Sequence, residues 1–418
     1  MNKKSARRNY SNQAGITLIA LVVTIVVLLI LAGVTINAVF SDRGIIKKAQ
    51  DAQNKANESI QKDMEQINAL ENWLNENTGE SNNDKEVNIS TLVGKGAVTK
   101  NTKAVDTYGN KITIPKGFKV LAHGTEAGSA TYTYSGDTIP AVQDGIVIEN
   151  GTDGNQFVWV PVGTIKNKSG DSKGATSTIT LGRYSDFTAK DGVYTPAQVA
   201  SVENCTQEVT INTYYKELST SRISSSSSEN TTARDLKTFI ETSLANGGYY
   251  IARFEASGTA SKITSKYNQT LLTKITQPNA AKAAREMYGE VKENDELIYA
   301  SDLVNSYAWD TAIIFIQTYS TETDASSYAS KNKSASFANT GINNDKYCNI
   351  WDMSGNAWEW TTEYSTGSVS SGSGACVYRG GYYNTGNGKP LSCTSTRDGT
   401  NATISIRDIG LRPLLYVK

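Results

Sequence analysis

The chain has 418 residues, enough for two or three domains, and its 41 Lys and Arg balance 41 Asp and Glu to a formal net charge of zero. A balanced chain lacks the basic face that nucleic acid requires, which argues against nucleic acid as a partner. The single histidine, His123, excludes an HExxH motif and any multi-histidine iron or zinc site, and a Ser-His-Asp triad could use only this ring.

The first element is apolar. No charged residue occurs from Asn9 to Ser41, and Ile16 to Phe40 is almost wholly hydrophobic. A helix needs about 20 such residues to cross a bilayer. Lys3, Lys4, Arg7 and Arg8 precede the run, an arrangement that keeps the N-terminus cytoplasmic and sends the rest of the chain outward. A secretory signal peptide has an apolar core of only about 7–15 residues. Here the run passes directly into a stripe at helical spacing: Ile45, Ala49, Ala52, Ala56, Ile60, Met64, Ile67, Leu70 and Leu74. The pattern predicts one long helix, apolar all round and then amphipathic, over residues 16–76. Asn77, Thr78 and Gly79 end it.

The basic leader, Gly15 and the following Ile16-Thr17-Leu18-Ile19 resemble the prepilin signal of type IV pilins and pseudopilins. The resemblance implies that residues 1–15 are a leader, that a prepilin peptidase cuts between Gly15 and Ile16, and that the new Ile16 amine is methylated. It also implies pilus or secretion-system subunits as partners. The fifth mature residue in that family is usually glutamate, and here it is Ala20. A repeating major pilin uses that carboxylate to neutralise a buried ammonium, so the substitution points to a minor pilin or a plain membrane anchor.

Residues 77–114 are read as linker and domain entry, because the stretch begins polar and rich in Gly and Asn. Past it, the run from Phe157 to Val162 predicts a strand, with Pro161 at an edge or an end. Ser219 to Arg234 reads as a low-complexity surface insertion. Ala280 to Tyr288 and residues 308–319 predict helices, the second buried through Trp309, Ala312, Ile313 and Ile316. Strands with long loops and few helices indicate an α+β domain.

The C-terminal third carries the most specific motifs: Gly355-Asn356-Ala357-Trp358-Glu359-Trp360, then Arg379-Gly380-Gly381, then Gly410-Leu411-Arg412-Pro413, with Arg397 fifteen residues before Arg412. With the strand around Tyr249 and the helix start at Trp309, they resemble the formylglycine-generating enzyme and sulfatase-modifying family across residues 115–418. That resemblance implies a C-type-lectin-like head joined to the long N-terminal helix. It also implies a structural Ca2+ ion held by Asp352, Gly355, Ala357 and Glu359, oxygen donors suited to a hard cation. The residue pattern leaves an alternative in which Glu359 pairs with Arg379 or Arg412.

The enzymes of that family bind copper through two cysteines, whose positions here are Thr385 and Pro390. The related iron enzymes need three histidines. Neither copper nor iron is therefore expected, nor catalysis. Four cysteines are present, none in CxxC spacing, and in an exported domain they could form two disulfides. Cys376 with Cys393 is the favoured pair, with free buried thiols as the alternative.

Between Arg379 and Arg412 the chain is rich in Tyr, Asn, Ser, Thr and Gly, a composition suited to adaptable recognition. Tyr382, Tyr383, Asn384, Thr385, Asn387 and Arg397 are the expected ligand-binding surface. The reading is a non-catalytic binding protein, single-pass in the cell membrane or placed in a surface pilus, with an extracellular head and an extracellular ligand. The alternatives are a structural minor pseudopilin, a retroelement-diversified lectin-fold receptor, and a variant oxidase.

Overall fold

The computed structural model describes residues 86–121, 124–125, 131–132, 141–184, 209–211, 215–218, 221–224, 229–319, 336–343, 346–367, 375–383 and 397–418, with residues 23–27, 48 and 55 nearer the N-terminus. The chain divides into two units, Met1–Asn83 and Asp84–Lys418. In the first, residues 23–27 are helical, with Val23, Ile25, Val26 and Val27 exposed. Among the described residues no helix is long and apolar enough to cross a membrane; Gly15, Ile16 and most of the expected 16–76 helix lie outside them.

Two sheets organise the second unit. Their strands, in chain order, are β1 (Phe118–Val120), β2 (Val147–Asn150), β3 (Gln156–Pro161), β4 (Val209–Ile211), β5 (Tyr215–Glu217), β6 (Gly248–Ala252), β7 (Glu290–Glu293), β8 (Glu296–Leu303), β9 (Trp358–Ser365), β10 (Cys376–Arg379), β11 (Arg397–Thr400), β12 (Ile409–Leu411) and β13 (Pro413–Val417). The first sheet runs β7-β8-β13-β6-β3-β2-β1. The second runs β4-β5-β9-β10-β11, with β12 paired in parallel to β9.

The unbroken apolar run of β3 follows from its place. It is a central strand between β2 and β6, and Phe157 to Val160 are all fully buried, so both its faces are covered and no polar alternation is required. Trp159 packs edge-on against Tyr250 at 4.9 Å. Pro161 is the last residue of the strand, where its missing N–H does least harm.

Three helices pack on this frame: α1 (Leu236–Asn246), α2 (Gln277–Glu286) and α3 (Ser306–Tyr319). The Asp235 side chain caps α1, and Thr276 caps α2 with Pro278 in its first turn. In α3 every residue from Ser306 to Gln317 is buried, because the helix touches strands of both sheets.

Residues 86–114 belong to the head rather than to a linker. Strands Val87–Asn88, Thr102–Val105 and Lys111–Ile114 form a small sheet, and Ile89, Ala104, Ile112 and Ile114 enter the main core. Polar residues of the same stretch, Asp106, Asn110 and Thr113, are buried as well, and Asp106 and Asn110 hydrogen-bond each other at 3.0 Å. The sheets are joined covalently near the C-terminus, where β12 and β13 lie in different sheets and only Arg412 separates them.

Candidate functional site

Arg412 sits at that crossing and is fully buried. Its guanidinium donates to Glu359 Oε1 at 2.6 and 2.8 Å and to the carbonyl oxygens of Ala252, Trp351 and Asp352. One side chain thus ties together β9, β6 and the loop between them. The other Glu359 oxygen accepts from Trp309 Nε1 at 3.0 Å. Of the alternatives open in the sequence, the geometry selects the pairing of Glu359 with Arg412.

Of the residues named for Ca2+, Asp352 and Glu359 have their carboxylates engaged within the protein, while the bonds at Gly355 and Ala357 involve N–H groups and leave open the use of their carbonyl oxygens. Both Glu359 oxygens are engaged by donors, and the Ala357 N–H points to Glu255 Oε1 at 3.0 Å. Asp352 accepts from Gly341 N at 2.9 Å and from Asn343 Nδ2 at 3.2 Å. Gly355 donates its N–H to the Gly380 carbonyl at 2.7 Å. Its φ of 94°, like the 91° of Gly380, explains glycine at both places. Among the described residues no group of three or more His, Cys, Asp or Glu side chains is arranged to hold a metal.

A second buried network surrounds Asp310 on α3 and Glu363 on β9. Arg379 donates to Asp310 at 2.6 Å, lies 3.9 Å from Glu363, and stacks 4.1 Å over the Trp309 ring. Arg397 bonds Asp310, donates to Glu363 at 3.0 and 3.2 Å, and reaches the Tyr184 carbonyl at 2.7 Å. Arg183 also pairs with Glu363. Burial opposes ionisation of Glu363, yet the three arginines outweigh it and hold its carboxyl below the ordinary value. The arginines outnumber these two carboxylates, and burial together with Arg397 brings Arg379 down to about 10. Arg397 therefore leaves the expected ligand surface. Only 4% of its side chain is exposed, and it serves as a strut beneath that surface.

What reaches the surface is a run of aromatic rings. Trp360 meets Tyr378 at 5.4 Å, Tyr378 meets Trp358 at 4.9 Å, and Trp358 stacks with Tyr382 at 6.3 Å. Tyr382 then meets Tyr383 at 5.1 Å, and Tyr383 meets Phe337 at 4.8 Å. The run begins fully buried and ends half-buried at Tyr382, Tyr383 and Phe337. Each such pair adds about 0.5–1.5 kcal/mol beyond area burial, so the outer rings are held by the inner ones.

Asn356 sets the outer pair. Fully buried at φ 58°, it accepts from Tyr383 N at 2.9 Å through its carbonyl and from Ala338 N at 3.0 Å through its side chain. Its amide nitrogen is anchored on Glu255 at 2.5 Å. The motif asparagine thereby positions both segments that carry the terminal rings. Exposed Arg407 completes the edge, 3.4 Å from the Tyr383 hydroxyl. Sequence reasoning named Tyr382 and Tyr383 but missed Phe337, Asn356 and Arg407, which come from separate stretches. Asn384, Thr385 and Asn387 lie outside the described residues, as do His123, Cys205, Cys393 and Pro390.

Cys376 is a free thiol, as is Cys348. The Cys376 side chain is fully buried in an apolar cluster with Trp360 and Tyr378, and Cys393, the partner expected for it, lies outside the described residues. Burial pushes the Cys376 thiol up to about 12.

Asp352 gives the head a measurable pH dependence. Burial raises its carboxyl from 3.8 to about 6, despite the donors it accepts from. The folded state thus holds this proton more tightly than the unfolded chain. The cost of ionising Asp352 is present above pH 6 and is released as pH falls toward 4, an effect of up to about 3 kcal/mol. Raised values at Glu255 and Glu217, both from burial, act in the same direction. The midpoint temperature should therefore rise between pH 7.5 and 5, and Asp352→Asn should flatten the rise. Calorimetry showing a steady fall over this window contradicts the assignment.

The description of a sulfatase-modifying factor enzyme 1-like domain matches residues 147–415. The match covers more than half of the chain, and the chain belongs to this family of C-type-lectin-like domains. Among solved structures the chain is similar to CarF, at 15% identity and TM-score 0.28, over 41% of this chain and 87% of that one. It is also similar to the Treponema denticola variable protein 1, at 14% identity and TM-score 0.24, over 64% and 97% of the two chains. The Major Tropism Determinant P3c variant shows 13% identity and TM-score 0.26, over 80% and 99%. No curated protein matches.

Proposed function

We propose that the chain is a non-catalytic surface protein whose head binds an extracellular ligand through the edge formed by Tyr382, Tyr383, Phe337 and Arg407. The observation that carries this reading is the aromatic run itself: half-buried rings fixed by a rigid interior offer contact area at low entropic cost. Thr385 and Pro390 at the positions of the family's copper cysteines support binding over oxidation. The basic leader, the uncharged apolar run and the Gly15-Ile16 junction support a pilin-like anchor, with processing by a prepilin peptidase and placement in the membrane or a pilus.

A photo-crosslinking phenylalanine analogue placed at position 383 in living cells tests the reading. A discrete adduct is expected from 383 and not from exposed Lys237 on α1, and mass spectra of the same protein should show a methylated Ile16 start. Absence of any adduct, or the same adducts from both positions, defeats the binding surface. An intact Met1 defeats the anchor.

A further inference from the structure

A cleft of about 610 Å³ lies between α2, the segment around Ile223 and the turn after β11. Its size is that of a site for a small organic molecule. Ile223 overhangs it with 84% of its surface exposed. The exposure is built in. Arg222 N donates to Thr232 Oγ1 at 2.6 Å and Ser224 N to Thr231 Oγ1 at 3.3 Å, so the backbone on both sides of Ile223 is pinned. The Arg222 guanidinium bonds Asn230 at 2.8 Å and lies 5.4 Å from the Tyr364 ring centre. Ile223 is therefore held outward over the cleft, where an apolar side chain gains nothing from water.

Pro278 and Asn279 of α2 also line the cleft, and Ala402 and Thr231 are the most deeply buried of the lining residues. The polar groups in the lining are mainly hydroxyls and one amide, from Ser224, Thr231, Thr276, Thr403 and Asn279. The one charge held in the wall, Arg285, is matched within the protein, and Lys282 and Glu286 lie at the solvated rim. Arg285 is engaged by Asp302 at 2.9 Å and by the Thr232 carbonyl, and Lys282 lies 3.9 Å from Glu286. A charged ligand seated against the inner wall of hydroxyls and apolar groups would lose hydration there, where Arg285 is already paired, whereas an uncharged one would lose little.

We propose that this cleft is a second ligand site, for a small uncharged molecule with an apolar body and one or two hydrogen-bonding groups. It is independent of the aromatic edge, since none of the lining residues belongs to that edge.

The test uses the full chain in lipid nanodiscs, because of its apolar N-terminal run, titrated with fluoroindole and followed by fluorine NMR against empty nanodiscs. Saturable broadening at one site per chain is expected. Ile223→Asp and Asn279→Trp, both at exposed positions, should each weaken it about tenfold or more with unchanged melting. Arg407→Ala, at the other surface, should leave it as in the parent. No saturable broadening above the empty nanodiscs, or equal broadening in the parent and both cleft variants, overturns the proposal.

Discussion

Arg412→Met should destabilise the head by about 3–5 kcal/mol, enough to unfold a large share of a domain whose whole stability is about 5–15 kcal/mol. The arginine is fully buried, and its loss leaves Glu359 without a cation in the neighbourhood of Glu255 and Asp352. It also strips donors from three buried carbonyls, of Ala252, Trp351 and Asp352. The penalty belongs to the broken pair rather than to the arginine alone. Glu359→Gln in the Arg412→Met background should therefore recover part of it, and urea unfolding of the four proteins in the cycle reads the coupling. Additive losses would contradict the pairing.

Asp310→Ala should cost a similar amount, about 3–5 kcal/mol, by the opposite sign of imbalance. It leaves Arg183, Arg379 and Arg397 to share Glu363, and removes the acceptor of Tyr184 N at 2.8 Å. The loss should also reach the surface. Arg379 stacks on Trp309 and pairs in register with Glu359, and the next residues, Gly380 and Gly381, lead to Tyr382. Asp310→Asn, which keeps an acceptor but not the charge, should fall between parent and alanine. Thermal melts that place Asp310→Ala within 1 °C of the parent would show that the network carries no such strain.

Much of this architecture was legible in the residues. The motif around Trp358 and Trp360, Arg379-Gly380-Gly381 and the closing Arg412 point to the lectin-like family because each fills a place that the interior demands: a ring in the core, a positive φ, a cation at the sheet crossing. The helix at 308–319 was visible as an apolar stripe and begins only two residues earlier, at Ser306. The role of Arg397 was not legible, because an arginine in a polar, Asn-rich stretch looks exposed until its partners Asp310 and Glu363 arrive from distant segments. The same reason hid Phe337 and Asn356, whose significance lies in contacts across the fold. The pairing of the Glu359 named for Ca2+ was hidden for a related cause. Oxygen donors at suitable spacing were there, but the sequence does not say that Arg412 and Trp309 take the Glu359 oxygens first.

The binding reading proposed above requires that this member of the family carry no copper, since Thr385 and Pro390 replace the family's copper cysteines in the sequence. Titration of the full chain with Cu(I), followed by incubation with oxygen and a sulfatase-type cysteine peptide, tests that claim most directly. The account predicts no stoichiometric copper binding and an unchanged cysteine. One copper per chain with conversion of the cysteine to formylglycine would contradict it.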